Sequence, residues 1–520
     1  MGFIGASFSM HPNVYEQYKE TKDGEIFEKL ISDIILNKHS DDQNLTEFIL
    51  SLPKEKQRLA VLSLIDKERK GDVNHLWSEM VSYVRDNVNK MEHIKDVIKI
   101  INKFVKDGEV EKKKHGEVMT PITLVREMLD SLPKEVWSNP DLKWLDPANG
   151  AGTFPFVVIY KLMNGLIEWE SDEEKRYKHI VENMIYTCEL QSRNVFLWLC
   201  GVDPKDEYTT NAYWGSFLDD GFDRHMKDVW NIDKFDIILG NPPYNDDQIM
   251  IGSKRGGGRS LWDKFVIKSM SLLNESKYLL FVHPSMWRKP ESKNSKNKGL
   301  YNFFTKYQIV YLEIHGVKDG LSTFGAGTRY DWYLMQNKSY HKPITIIDED
   351  GIENIIDIRE WPFLPNKNFD IIKKIITNNN ENKCDLIWNT YYHTATNRYE
   401  YVSLNKTNEH IYPLIHSTNK SGNRLYWTSV KNDKHFGFTK VIFGESGINN
   451  VVADINGEYG MTQGAMGIKI NKDNISNLKM ALESKKFKLV LEGTSWGNFR
   501  IDWRLFTYFR EDFWKEFIEQ

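Results

Sequence analysis

Cysteine is scarce in this chain, three in 520 residues, and Cys188, Cys200 and Cys384 lie far apart without metal-ligand spacing. Neither a disulfide framework nor a zinc site is indicated, and the three read as buried apolar thiols of a reducing compartment. Strong charge of either sign is missing too. A formal net charge of -4 argues against a protein that coats nucleic acid by bulk electrostatics and leaves any polyanion to be gripped by local basic loops. No apolar run approaches a membrane span, and the amino terminus lacks a basic stretch leading into an apolar core. The chain therefore reads as soluble and cytoplasmic, with no membrane partner. Internal repeats and long low-complexity tracts are absent.

What is plentiful is aromatic surface, 13% of the residues with 16 Trp, enough for a large core and for stacking platforms. The pattern divides the chain in three. Residues 1–115 space apolar side chains by three and four with charges between, which predicts a helical amino-terminal region without a nucleotide motif. Residues 116–340 alternate helical stretches with short apolar runs, as in a doubly wound α/β sheet. From 341 to 520 that rhythm is lost, and short apolar runs broken by Asn, Gly and Lys-rich turns predict a loop-rich α+β recognition domain. Arg398, Lys406, Lys420, Arg424, Lys431 and Lys434 are its candidate phosphate or base contacts.

The middle region is organised around Phe235-Asp-Ile-Ile-Leu-Gly-Asn-Pro-Pro-Tyr244. Phe235 to Leu239 is the apolar run of a buried parallel strand, whose carboxyl end opens into a ligand crevice. Pro242 and Pro243 fix φ and remove two N–H donors, so nearby carbonyls are left to accept hydrogen bonds from a planar amino group. Asn241 adds a side-chain carbonyl, and Tyr244 adds a ring on which an amide or nucleobase can stack. Taken alone, a Pro-Pro pair after a strand is a turn. The residues upstream give it a context. Thr120 is placed to cap a helix with Pro121 in its first turn. Asp146-Pro-Ala-Asn-Gly-Ala-Gly-Thr-Phe154 follows a short strand as a glycine loop leading into a helix, with Gly150 and Gly152 letting backbone approach a nucleoside. Glu189 ends the next strand, roughly 35 to 40 residues past those glycines, where a carboxylate can accept from ribose hydroxyls; the familiar dinucleotide spacing is nearer about 20. Two basic loops, Ser253-Lys-Arg-Gly-Gly-Gly-Arg259 and Arg288 to Lys298, follow element ends near the same face.

Together these residues resemble the DNA adenine-N6 methyltransferases with an Asn-Pro-Pro-Tyr motif, of the Eco57I-like restriction-modification type, over about residues 115 to 340. The resemblance implies a Rossmann-like methyltransferase sheet, S-adenosylmethionine as methyl donor, no metal, and double-stranded DNA bound by a monomer, with a separate restriction endonuclease as a further partner. It assigns Asn241, Pro242, Pro243 and Tyr244 to catalysis. Thr120, Pro121, Asp146, Ala148, Gly150, Gly152, Thr153, Phe154, Glu189, Ser216, Phe217 and Asn241 are assigned to the cofactor. Tyr244 and Phe324 are assigned to stacking on a flipped adenine, and Lys254, Arg255, Arg259, Arg288 and Lys289 to the DNA backbone. One position departs: Ser216 stands where family members often carry Asp, and Asp219 is the candidate replacement. Two other readings stay open, a protein glutamine-N5 methyltransferase, which shares the tetrapeptide, and a non-catalytic DNA-binding subunit.

Overall fold

The computed structural model describes residues 120–190, 192–203, 208–244, 260–291, 299–377, 381–394, 400–497 and 500–518. The expected helical region 1–115, the first basic loop with Lys254, Arg255 and Arg259, and Arg398 lie outside the described residues.

A nine-stranded sheet forms the centre. Its strands are β1 (Trp144–Asp146), β2 (Ile185–Glu189), β3 (Asn211–Trp214), β4 (Phe235–Gly240), β5 (Leu273–Pro284), β6 (Tyr307–His315), β7 (Tyr330–Ser339), β8 (Ile344–Ile347) and β9 (Glu353–Ile356). They lie in the order β3-β2-β1-β4-β5-β7-β6-β8-β9. The pairs among β1 to β5 are parallel, while β7 runs antiparallel to both β5 and β6. This is the Rossmann-like doubly wound sheet that the alternating pattern predicts. Residues of β1 and β4 are buried throughout, as continuous apolar runs covered on both faces must be. Asp236 interrupts the apolar run of β4. Its carboxylate is satisfied by the Lys143 N–H at 2.9 Å and the Asn274 amide at 3.1 Å, so burying it leaves no orphaned charge.

Strand order reverses at β1, which has β2 on one side and β4 on the other. A crevice therefore opens beyond the carboxyl ends of β1 and β4, and the chain delivers Asp146 and Asn241 to it. Helix α1 (Ile122–Asp130) and helix α2 (Thr153–Gly165) pack through Leu124, Val125, Met128, Phe156 and Ile159 into one apolar cluster with Ile237 and Leu280 of the sheet.

Two expectations are corrected. The sheet does not stop near residue 340: β8 pairs with β6, and β9 pairs with β8. A helix over Val317–Phe324 stands between β6 and β7. The carboxyl-terminal part is more regular than a loop-rich domain. Beyond β9 it holds β10 (Leu386–Ile387), β11 (Val402–Ser403), β12 (Tyr412–Asn419), β13 (Gly422–Thr428), β14 (Lys440–Gly444), β15 (Gly447–Asp454), β16 (Gly460–Met461) and β17 (Ala465–Lys469). These form two four-stranded sheets, β10-β17-β14-β15 and β11-β13-β12-β16. Helices Ile475–Glu483 and Lys485–Gly493 follow. One apolar cluster then runs from Leu145 and Phe281 in the central sheet through Phe363 and Trp496 to Phe506 and Phe513.

Candidate functional site

At the tip of β4, Gly240 has φ +147°, and a Cβ placed on it would come 2.8 Å from Oδ1 of Asp146. The glycine is what lets the end of β4 pass beneath the end of β1. Asp146 is 3% exposed, and its Oδ1 accepts the Ala148 N–H at 3.1 Å. Burial pushes the Asp146 carboxyl up to about 8; the Ala148 N–H opposes this shift and Glu189 adds to it.

The stretch after β1 is a tight loop. Asn149 N–H donates to the Cys188 carbonyl at 3.0 Å, and Gly152 N–H to the Asn149 carbonyl at 3.0 Å. Gly150 (φ +54°) and Gly152 (φ +98°) both need the left-handed region, for different reasons. A Cβ on Gly150 would meet nothing within 4 Å, so its missing side chain faces open space. A Cβ on Gly152 would strike the Trp198 ring at 2.5 Å and the Phe156 ring at 2.8 Å, so that glycine seats α2 against its neighbours. Gly150 N–H donates to Oε2 of Glu189 at 2.8 Å, which brings the end of β2 to the same loop. Thr153 opens α2, and Phe154 is buried beneath it.

The catalytic candidates lie on the other wall. Pro242 is buried and Pro243 exposed. Asn241 Nδ2 donates to Oγ1 of Thr120 at 3.1 Å across 121 residues of chain. Burial pushes the Tyr244 hydroxyl well above the usual tyrosine range, with a smaller opposing effect from the neighbouring Asn241 amide. Leu261 N–H donates to the Tyr244 carbonyl at 3.3 Å. Gly150 is thus bonded to Glu189 and Asn241 to Thr120, while Asp146 lies beside Gly240, the residue before Asn241. The sequence reading did not single out Gly240; a glycine at a strand's end gives its close approach away only once the neighbouring strand is known.

Other candidates fall elsewhere. Thr120 does not cap α1. The cap residue is Pro121, no side chain bonds the first turn, and the Thr120 hydroxyl is engaged by Asn241. The Phe217 ring is 1% exposed and packed against Phe222 and Phe265 at 5.0 and 5.1 Å, which makes it a core residue, not an open cofactor contact. Ser216 Oγ accepts the Leu218 N–H at 3.2 Å, and Asp219 is exposed at the start of helix Asp220–Asp228. Phe324 is also a core residue, 5% exposed with its ring edge-on to Tyr330 at 4.8 Å, so it offers no face to a base. Arg288 is corrected most strongly. It is fully buried, paired with Asp331 at 2.7 Å, and its remaining N–H groups reach the carbonyls of Leu364 and Pro365 and Oδ1 of Asn366. A guanidinium so enclosed cannot hold a phosphate. Lys289 is partly buried beside Asp502 and Arg504, and burial lowers its amine from the usual lysine range.

The raised Asp146 value has a consequence for stability. The native carboxyl keeps its proton up to about 8, while an unfolded one loses it near 3.8. Its contribution is therefore complete below the unfolded value and is lost as pH rises through the folded one. Asp146→Asn is expected to flatten this part of the profile: the urea midpoint of the unsubstituted protein should fall more between about pH 5 and pH 8 than that of the variant. Parallel profiles would refute the shift.

Residues 168–316 match the family described as Eco57I restriction-modification methylase. An uncharacterized adenine-specific methylase of Mycoplasma pneumoniae is 26% identical over 37% of this chain and 58% of its own length. Among solved structures, the Type IIL restriction-modification enzyme MmeI in complex with DNA is similar with a TM-score of 0.46 and 13% identity, covering 80% of this chain and 67% of that one. A modification subunit of a putative type I restriction enzyme from Vibrio vulnificus YJ016 has a TM-score of 0.34 and 15% identity, covering 48% and 51%. The chain thus spans between half and three-fifths of the length of the methylase relative and of this modification subunit. The matched segment lies within the stretch, about residues 115 to 340, over which the sequence resembles that family.

Proposed function

We propose that this protein is a site-specific DNA methyltransferase that moves a methyl group from S-adenosylmethionine to N6 of an adenine flipped out of double-stranded DNA, within a restriction-modification system. The observation that carries the reading is the close approach of Gly240, at the root of the Asn-Pro-Pro-Tyr loop, to Asp146, beside the Gly150–Glu189 bond and with Asn241 bonded to Thr120. The adenine-specific methylase relative supports the same base.

The crevice fits the donor. Open space at Gly150 leaves room for a nucleoside against backbone, and Asn149 Oδ1 is buried without a hydrogen-bond partner. Asp146, Asn149 and Glu189 would hold the amino and hydroxyl groups of S-adenosylmethionine, which when bound supplies an electrophilic methyl carbon on a sulfonium. The chain's own part is to make N6 a nucleophile. That nitrogen's lone pair is delocalised into the ring. The Asn241 side-chain oxygen and the Pro242 carbonyl accept its two protons and turn it towards a tetrahedral geometry aimed at the methyl carbon. With the donor bound, transfer of its methyl group to N6 would release S-adenosylhomocysteine, and the proton that N6 gives up would pass to solvent water. Tyr244 stacks on the flipped base, which cannot be reached inside a duplex.

On the DNA side, the outer carboxyl-terminal sheet carries cations laid over aromatic rings: Lys406 over Trp427 at 5.1 Å, Arg424 over Tyr426 at 5.4 Å and Lys431 over Tyr412 at 4.7 Å. Such pairs suit a phosphate backbone and exposed base edges. They, with Lys420 and Lys434, are the target-recognition candidates. The test is incubation with tritium-labelled S-adenosylmethionine and unmethylated genomic DNA, followed by nucleoside analysis. Label in N6-methyldeoxyadenosine is expected; label in protein glutamine would favour the amide methyltransferase, and no transfer would favour a non-catalytic subunit.

A further inference from the structure

We infer that Thr120 is a positioning residue for the Asn241 amide, over and above any contact it makes with the methyl donor; this rests on the methyltransferase reading. A threonine just ahead of a helix ordinarily spends its hydroxyl on that helix's first turn. Here α1 has no side-chain cap at all, and the 7% exposed Thr120 is turned to Asn241. The geometry has a chemical purpose. The last torsion of an asparagine is broad and nearly two-fold, so the plane of its amide is set by what it bonds, not by its rotamer. Thr120 Oγ1 accepts from Nδ2 at 3.1 Å, which fixes that plane and directs the carbonyl end of the amide away from Thr120. The carbonyl end is the one that must meet the substrate amine. Thr120 is itself fixed through the chain, because Pro121 begins α1, and α1 is anchored by Leu124, Val125, Met128 and Leu129 in the core. The Val125 N–H bonds the Pro121 carbonyl at 3.0 Å, so the turn that carries Thr120 is rigid. The reactive loop is thus held from outside by a helix more than a hundred residues earlier in the chain.

The test separates positioning from donor binding. Thr120→Val keeps the shape and removes the acceptor; Thr120→Ser keeps the acceptor and removes a methyl group. With unmethylated genomic DNA as substrate, Thr120→Val is expected to lower kcat by roughly 10- to 100-fold. The Kd of S-adenosylmethionine in calorimetry should stay within about threefold, and Thr120→Ser should restore most of kcat. A variant whose Kd rises while kcat at saturation is unchanged overturns the inference, as does one with unaltered kcat and Kd. Failure of the unsubstituted protein to methylate DNA adenine would strike the proposed function instead. In that event a high-resolution crystal structure of Thr120→Val decides this point by itself: a reoriented Asn241 amide upholds the positioning role, and an unmoved one removes it.

Discussion

Asn241→Ala is expected to lower single-turnover methyl transfer to DNA by roughly 10²- to 10³-fold or more, while affinity for S-adenosylmethionine stays within a factor of about three. The substitution takes away one of the two acceptors proposed to draw the N6 protons, and the Pro242 carbonyl alone cannot fix both. The side chain bonds Thr120 and neighbours Tyr244. The loop's course is set by the two prolines and by Gly240, so the variant should fold and retain its melting temperature. Tritium transfer under single-turnover conditions, paired with calorimetric titration of the donor, measures both sides of the claim. Turnover like that of the unsubstituted protein would rule the mechanism out.

Arg288→Leu should produce the largest loss of stability, about 3–5 kcal/mol. Asp331 would remain fully buried without its partner; burial already raises its carboxyl from the usual range, and Arg288 opposes that shift. The carbonyls of Leu364 and Pro365 and the side chain of Asn366 would lose their donors as well. Asn366 in turn donates to the Ser495 carbonyl at 2.8 Å, and Trp496 Nε1 to the Leu364 carbonyl at 2.7 Å, so the damage reaches the carboxyl-terminal segment. Urea unfolding measures it. A double variant, Arg288→Leu with Asp331→Leu, should recover part of the loss, because two apolar side chains leave no unpaired charge. A cation bound to DNA phosphate would behave differently: its removal would leave stability unchanged and reduce the salt dependence of DNA binding by about one ion. A small stability change with a reduced salt slope would restore the original expectation for Arg288.

The contrast between these two residues shows what the sequence can reveal. The position of Asn241 at a strand end was legible because the local pattern is written in adjacent residues: an apolar run, a glycine, two prolines and an aromatic ring. Asp146 and Glu189 were placed for the same reason, each at the end of a short buried run, and Gly150 in the turn that follows the first of them. Arg288 was misread because it opens a charged stretch whose composition looks solvated, while the groups that enclose its guanidinium come 43 to 78 residues later. Thr120 misled in a similar way: the local rule for helix starts is sound, and a long-range bond to Asn241 overrode it. Phe217 and Phe324 could have gone to pocket or core, and only the packing around them decides. The strands β8 and β9 are four residues each, too short for alternation to announce them.

Because β8 and β9 complete the central sheet and a single apolar cluster continues into the last helices, the central-sheet and carboxyl-terminal halves are not detachable modules. A foreign carboxyl-terminal half grafted at residue 340 would amputate β8 and β9 and bare the β6 edge that β8 covers, so such chimaeras should precipitate. A junction beyond Ile356 that carries over the partners of Arg288 gives the splice a chance to melt as one cooperative unit.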